Sequence, residues 1–250
     1  MKKILLTAAC GILCSASALA EGWGGLSGQI VLNGAVPKPV LLHSKGAAIK
    51  DAEVCAVADT YSEEILVDSA SKGVANCFVY LSKAPKTIHP DLAKAADAKV
   101  IFDQKACTFI PHSLIVRAGQ AVEVISGDPI AHNTHTYPLR NQAVNVLIAP
   151  NTAKGSGVDV ACNVAERMPH QVKCDYHPWM MAYWLVVDHP YAAITDKEGK
   201  FRIENLPEGE HELVIWHEKA GYIDRKFKAT VKNGQVAELK PVSLDAAKLK

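Results

Sequence analysis

The segment Cys174-Asp175-Tyr176-His177-Pro178-Trp179-Met180 places a thiol, an imidazole and a thioether within seven residues of one another. The residues on either side, Gln171 to Cys174 and Tyr183 to Asp188, have the pattern of β-strands, so the segment is predicted to be a loop between two strands. Structural zinc takes four Cys or His ligands and catalytic zinc keeps a water position, and neither explains a methionine. Thiolate, thioether and imidazole donors together suit copper.

A further donor, His132, lies upstream of this loop. It follows Ala121 to Ser126, an alternating segment that predicts a β-strand, and strand pairing could bring it beside the loop. Two imidazoles, one thiolate and one weak thioether form the ligand set of blue-copper centres. We therefore predict a site for one copper ion. Its predicted ligands are His132, Cys174, His177 and Met180.

Neighbouring donors leave alternatives open. His135 could take the place of His132, and Met181 could take the axial place of Met180. His112 lies near the expected open end of the fold and is an additional candidate donor. A methionine on its own more often fills gaps in a core, so the prediction depends on the joint spacing of the donors.

The N-terminus predicts export. Two lysines precede an apolar run, and small residues follow up to Ala20, which is the pattern of a secretory signal peptide over residues 1–20. No later segment approaches the roughly 20 apolar residues of a transmembrane helix. We therefore expect a periplasmic or secreted protein without a membrane span.

The charge balance argues against nucleic acid as a partner. The chain has 27 Lys and Arg against 26 Asp and Glu, and two of its lysines lie in the signal peptide. A nucleic-acid-binding domain has a basic face, which a nearly neutral mature chain does not predict.

The cysteine count of the mature chain is odd. Of seven cysteines, two lie in the signal peptide, and the others are Cys55, Cys77, Cys107, Cys162 and Cys174. In an oxidising compartment four of these five could pair, in three connectivities, and one would stay free. Cys174 is the natural free cysteine because a His and a Met follow it at intervals of three. For the others we favour the pairs Cys55–Cys107 and Cys77–Cys162.

Strand patterns recur along the chain, and no long amphipathic helix is found, so we predict an all-β protein. Besides the strands above, they cover Leu26 to Gly34, Ala75 to Leu81, Lys99 to Phe102, Cys107 to Ile110, Ser113 to Arg117, Ala192 to Thr195, Lys200 to Glu204, His211 to His217, Asp224 to Val231 and Gln235 to Pro241. The last two strands are predicted to form a hairpin at Asn233-Gly234. We also predict a long loop from Pro37 to Gly73, a short helix from Asp91 to Ala96 and an irregular segment from Asn141 to Met168.

Several of these residues together resemble the cupredoxins. They are Phe109-x-Pro111-x-x-Leu114-x-Val116-x-x-Gly119, then Asp128 and His132-Asn133, then Cys174-x-x-His177-x-x-Met180. The short Cys-His-Met spacing is similar to that of the amicyanins, and so to a methylamine-utilisation type of cupredoxin. The resemblance implies a Greek-key sandwich over residues 95–189 that holds one type 1-like copper through the four predicted ligands. It also implies that Asn133 braces the two ligand loops by backbone hydrogen bonds.

The flanking segments resemble a second module. Gly28 to Gly34 and Asn76 to Leu81, together with Thr195 to Phe201, Leu206 to Gly209 and Val214 to His217, look like two halves of a carboxypeptidase regulatory-like, transthyretin-type sandwich. Domain termini often lie close together at the surface, which permits one domain to be inserted into another. The two resemblances imply a Greek-key cupredoxin sandwich inserted into a second, smaller β-sandwich formed by residues 21–90 and 190–250.

The resemblance to cupredoxins implies a periplasmic electron carrier rather than an enzyme. It would exchange single electrons with redox proteins, bound transiently, through the exposed edge of His177. The extra donors His112, His135 and Met181 suggest an alternative, a copper-binding or copper-delivery protein without electron-transfer duty. The long segment between His132 and Cys174 suggests another, a copper enzyme with an open coordination position.

Overall fold

The computed structural model describes residues 22–249, and the predicted signal peptide lies outside them. This part of the chain contains nineteen β-strands and one short α-helix, α1 (Ala52–Cys55), so the predicted all-β class is confirmed. Two short 3-10 helices cover Pro90–Leu92 and Ala246–Leu249, and the first of them replaces the helix predicted from Asp91 to Ala96. Among residues 22–249 no helix has the length and apolar character needed to cross a membrane.

Strands between residues 99 and 187 form two sheets that share one apolar core, which we call the inner sandwich. One sheet has the order β10 (Asn145–Ile148), β9 (His132–Thr136), β12 (His170–Lys173), β13 (Met181–Val187) and β7 (Ser113–Arg117). The other has the order β11 (Val158–Cys162), β8 (Gln120–Val124), β5 (Lys99–Lys105) and β6 (Thr108–Ile110). Aromatic rings fill the core between them, where Trp184 packs edge-on against Phe102 at 4.9 Å and Phe109 stacks on Phe102.

Strands from both ends of the described chain form two further sheets, which we call the outer sandwich. One contains β15 (Lys200–Pro207), β1 (Trp23–Asn33) and β18 (Val236–Glu238), with β19 (Val242–Asp245) also paired to β1. The other has the order β14 (Ala192–Ile194), β4 (Phe78–Leu81), β16 (Gly209–His217) and β17 (Gly221–Val231). Their shared core includes Leu26, Ile30, Leu213 and Ile215, all fully buried.

Strand β4 connects the outer core to a third apolar cluster. Successive residues of a strand point to opposite faces of the sheet. Val79 and Leu81 belong to the outer core, whereas Phe78 and Tyr80 belong to the cluster between the two sandwiches. Burial on both faces explains why this strand reads as a continuous apolar run.

Strand β13 plays the same part for the inner sandwich. Trp184 and Val186 belong to the inner core, and Leu185 and Val187 belong to the cluster that contains Phe78 of β4. The four large sheets are therefore stacked as layers, with apolar side chains between each neighbouring pair. The two sandwiches meet through β4 and β13.

One of the two favoured disulfides is present. Cys55 and Cys107 are bonded, as predicted. The predicted Cys77–Cys162 bond is wrong, because both cysteines are free, with Cys77 in the outer core and Cys162 in the inner core. Two layers of sheet thus separate these thiols. Cys174 is the third free cysteine of the described residues.

The predicted hairpin at Asn233-Gly234 is wrong. A turn is present, with Gly234 at a φ of 69° that suits glycine. Beyond the turn, however, β18 pairs in parallel with β1 rather than with the preceding strand, β17. An Asn-Gly turn fixes the reversal of the chain but not the strand that the following segment joins.

Two segments predicted to lack regular structure contain strands. The segment from Asn141 to Met168 includes β10 and β11, which are edge strands of four and five residues. The loop predicted from Pro37 to Gly73 includes β2 (Leu41–His43), α1 and β3 (Thr60–Tyr61), and β2 pairs with β3. Strands this short carry too few alternations to stand out in the sequence.

Candidate metal centre

The segment from Cys174 to Met180 is the connection between β12 and β13. On its other side β12 pairs in antiparallel fashion with β9, so that Lys173 lies opposite His135. His132 is the first residue of β9 and therefore lies beyond the end of β12, beside the loop. Strand pairing brings the upstream histidine to the loop in the way that the sequence predicts.

Three donor atoms converge at this end of the inner sandwich. His132 Nδ1 lies 3.0 Å from His177 Nδ1, and Cys174 Sγ lies 3.9 Å from the first and 3.7 Å from the second. All three side chains are buried. Nitrogen and sulfur ligands bound about 2.0–2.3 Å from one ion lie roughly 3–4 Å from one another. The spacing of the three atoms therefore fits a single metal ion.

In both His132 and His177, a carboxylate contacts Nε2, the ring nitrogen that faces away from Cys174. His132 Nε2 lies 2.8 Å from Asp128 Oδ2, and His177 Nε2 lies 2.9 Å from Asp51 Oδ2. Each carboxylate accepts an Nε2–H, which leaves the Nδ1 lone pair of each ring directed at the Cys174 sulfur and the other ring. Lone pairs at this separation need a proton or a metal ion between them, so the chemistry of the donors fits a bound cation.

The pKa values of the cluster favour a thiolate. Burial alone would raise the pKa of the Cys174 thiol, but hydrogen bonds with the rings of His132 and His177 outweigh burial and lower the pKa to about 6. Burial likewise opposes protonation of His132, yet hydrogen bonds to Asp128 and Cys174 raise the pKa of His132 to about 9. Near neutral pH the metal-free cluster is therefore a thiolate beside an imidazolium, and the thiolate is the form that binds metals.

Met180 closes the loop. Its N–H donates to the carbonyl oxygen of His177 at 2.9 Å, and its own carbonyl accepts the N–H of Cys174 at 3.2 Å. The side chain is buried and borders a cavity of about 210 Å³ between the loop and the β2–β3 pair. The thioether of Met181 accepts a hydrogen bond from Gln171 at 2.7 Å. The axial role of Met180 stays a prediction.

The alternative histidines have other partners. His135 Nδ1 contacts the Asp175 carboxylate at 3.1 Å and the Tyr137 hydroxyl at 3.0 Å. His112 lies between Glu63 and Glu218. Among the donors considered from the sequence, the three that converge on one point are His132, Cys174 and His177.

Asn133 joins the two segments that carry the predicted ligands, mainly through its side chain. Its amide oxygen accepts the backbone N–H of Asp175 at 2.7 Å, and its amide nitrogen donates to the Asp175 carboxylate at 2.8 Å. The backbone N–H of Asn133 also hydrogen-bonds the Cys174 sulfur and lowers the pKa of the thiol further. The bracing predicted for Asn133 is therefore present, with the amide side chain adding to the backbone.

The prediction that one edge of the His177 ring is exposed is wrong, because the side chain is 0% exposed. Residues 41–61, which we call the strap, cover it. Asp51 contacts His177 directly, and His43 packs edge-on against Trp179 with ring centroids 5.2 Å apart. The ammonium of Lys50 lies 4.5 Å from the ring centre of Tyr176. The strap thus contacts three residues of the segment from Cys174 to Met180.

Sequence reasoning missed Asp51. It is separated from His177 by 126 positions and lies in a segment that was predicted to be a loop of the other sandwich. One signal was available, because the predicted Cys55–Cys107 bond already places this segment beside Phe109, where the cupredoxin-like motif begins.

Comparisons with known proteins give structural matches alone. No protein-family profile and no curated protein matches this sequence. A reduced variant of amicyanin is 20% identical over 38% of this chain and 88% of its own, with a TM-score of 0.31. Amicyanin from Paracoccus versutus is 15% identical over 44% of this chain and 97% of its own, also at 0.31. A purple cupredoxin from Nitrosopumilus maritimus is 17% identical over 36% of this chain and all of its own, at 0.29. These scores lie below 0.5, so the function is inferred from this chain's own residues.

Proposed function

We propose that the chain binds one copper ion through His132, Cys174 and His177, with Met180 as a weak axial ligand, and carries single electrons between redox proteins in the periplasm. The observation behind this proposal is the convergence of two Nδ1 atoms and one sulfur within 3.0–3.9 Å of one another in a buried site. Bound copper would supply a one-electron redox couple. Its redox-protein partners would dock transiently.

The side chains around the donors suit this task because they hold the donors still. Asp128 and Asp51 fix the two imidazoles, and Asn133 ties the loop to β9. A rigid ligand set of soft thiolate, thioether and two imidazoles accommodates both oxidation states in nearly one geometry. Little rearrangement would then accompany the gain or loss of an electron.

The division of the chain into domains is a second part of the proposal. We propose that residues 95–189 form a cupredoxin-like domain inserted into a carboxypeptidase regulatory-like sandwich of residues 21–90 and 190–250. In support, the strands of the inner sandwich run without interruption from Lys99 to Val187, and those of the outer sandwich come from before and after them.

The test is a visible and electron paramagnetic resonance spectrum of the purified protein loaded with Cu(II), together with the copper content. We expect one copper per chain, an intense visible band from charge transfer between thiolate and Cu(II), and reversible bleaching on one-electron reduction. A spectrum with an exchangeable water ligand would point instead to a copper enzyme. Failure to bind copper would overturn the proposal.

The burial of His177 favours a second candidate, a copper-binding or copper-delivery protein without electron-transfer duty. A ligand edge covered by the strap has no direct contact with a partner, whereas a binding protein gains from a closed site. A colourless site that holds only Cu(I), or more than one tightly bound ion per chain, would support this candidate over the electron carrier.

A further inference from the structure

We propose that Asp51 is a positioning residue of the metal centre: from the strap, it holds the Nε2–H of His177 and so presents Nδ1 to Cys174. The inference rests on the proposed copper site. It assigns the strap, which lies outside the inner sandwich, a part in building a site whose donors all come from that sandwich. Four observations support it.

The first is the contact itself. The Asp51 carboxylate lies 2.9 Å from His177 Nε2, and the imidazole is 0% exposed while the Asp51 side chain is 30% exposed. A buried imidazole nitrogen without a partner is costly, and Asp51 satisfies this one from the solvent side. Metal-binding histidines commonly donate their other ring N–H to a carboxylate, which fixes the tautomer and the ring orientation.

The second is that Asp51 does not perform the ordinary structural task of its position. It precedes α1 as the N-cap residue, where an aspartate usually accepts a backbone N–H of the first turn through its side chain. Its side chain makes no such capping bond. The N–H of Cys55 makes the usual first helical hydrogen bond to the Asp51 carbonyl oxygen at 2.9 Å, and the N–H of Val54, which a capping side chain would bind, also contacts that carbonyl at 3.0 Å. The carboxylate is therefore directed at the histidine rather than at the helix.

The third is the backbone conformation. Asp51 has a φ of 54° and a ψ of 40°, in the left-handed region that residues other than glycine seldom adopt. Aspartate adopts this region more readily than most residues, and the conformation is maintained where surrounding contacts fix it.

The fourth is that the strap is fastened on both sides of Asp51. Cys55 is bonded to Cys107, whose N–H contacts Asp128 Oδ2 at 2.9 Å, and His43 packs on Trp179. One continuous set of contacts thus connects the two carboxylates that hold the two histidines. Asp128 holds His132 from within the inner sandwich, and Asp51 holds His177 from outside it.

The variants that test the proposal are Asp51→Gly, Asp51→Asn and Glu53→Gln. Glycine removes the carboxylate but suits the left-handed backbone, so the strap should fold. Asparagine tolerates the same conformation and keeps an oxygen that can accept the Nε2–H. Glu53 is exposed, lies in α1 and serves as the matched control.

Two readouts separate this proposal from the proposed function. Long-range proton–nitrogen NMR spectra of the metal-free protein report the tautomer of His177, and we expect Nε2–H in the wild type and in Asp51→Asn but a mixture in Asp51→Gly. Copper competition assays should show a loss of affinity of about 10- to 100-fold in Asp51→Gly, with an altered paramagnetic spectrum, and little change in the other two variants.

The outcomes are distinct. If Asp51→Gly keeps the wild-type tautomer of His177, or if its copper affinity and spectrum match those of Glu53→Gln, the proposal is overturned. If the tautomer changes as expected but the wild type binds no copper, the proposed function fails while Asp51 stands as the residue that orients His177. Circular dichroism spectra of the variants confirm that each is folded.

Discussion

Both sandwiches contain buried cysteines, but the surroundings of these cysteines shift the thiol pKa in opposite directions. Cys77 lies in the outer core at 0% exposure, where burial raises the pKa of its thiol to about 12. Cys174 lies at the loop end of the inner sandwich at 1% exposure, and the pKa of its thiol is about 6. Cys162, in the inner core itself, has a pKa raised by burial to about 11. Depth within a sandwich therefore makes a thiol inert, and it is the convergence of two imidazoles on the sulfur that makes Cys174 different.

The largest effect that would test this contrast is the loss of copper binding. Replacing Cys174 by Ser removes the thiolate, so we expect the intense visible band to vanish and the copper affinity to fall by at least about 100-fold. Cys77→Ser serves as the control and should keep both. A Cys174→Ser protein that stays intensely coloured would show that the sulfur is not a ligand.

The second effect is the difference between the thiols themselves in the metal-free protein. Thiolate absorbance in the ultraviolet should rise as the pH increases through about 6 by the amount expected for one thiol. The step should be absent in Cys174→Ser and present in Cys77→Ser, because Cys77 stays protonated until far higher pH. A first step above pH 8 would mean that the imidazoles do not stabilise the thiolate.

The third effect concerns the disulfide that fastens the strap to the inner sandwich. Cys55 and Cys107 are 52 positions apart, and closing a loop of this length stabilises a fold by about 4 kcal/mol in the chain-entropy description. We expect the Cys55→Ala/Cys107→Ala variant to lose an amount of this order in the free energy of unfolding, measured with urea. Cys162→Ala removes a buried thiol without a crosslink and should lose about 1 kcal/mol. Equal losses would show that the crosslink does not constrain the unfolded chain.

The smallest effect compares one buried histidine in each sandwich. Burial lowers the pKa of His170, in the inner sandwich, and of His217, in the outer one, to about 4. As the pH falls below 6.5, these histidines bind protons in the unfolded chain but stay neutral in the folded protein. The free energy of unfolding therefore decreases between about pH 6.5 and 4. Each histidine should contribute a loss of about 2 kcal/mol between pH 7 and pH 5.

Urea unfolding of His170→Asn and His217→Asn at both pH values checks this expectation. Each variant should lose about 2 kcal/mol less than the wild type over the same pH interval. A variant with the wild-type pH dependence would show that folding does not lower the pKa of its histidine.

The parts of the candidate centre that depend on residues close together in the sequence could be predicted. His132 follows a segment with strand-like alternation, and the predicted ligands Cys174 and His177 share one loop between two segments of the same kind. Residue spacing and strand alternation are properties of a short segment, so they can be recognised in the sequence without knowledge of the rest of the fold.

The contacts between residues far apart in the sequence could not be predicted in the same way. Apart from the predicted Cys55–Cys107 bond, the sequence around Asp51 is that of an ordinary surface loop, and the contact of Asp51 with His177 depends on how the strap folds over a different part of the chain. The wrong Cys77–Cys162 pair has a similar origin, since cysteine parity counts thiols but does not say which core each one enters. The same holds for β18, whose partner was decided by the packing of the outer sandwich and not by its turn.

The burial of β13 on both faces bears on any attempt to cut this protein down to a minimal unit. Excision of residues 95–189 would uncover Leu185 and Val187, which now pack beside Phe78 and Trp216 of the outer sandwich. A newly bared apolar sheet face is prone to aggregate. We therefore expect the inner sandwich to depend on the outer one for solubility, and the two to melt as a single cooperative body.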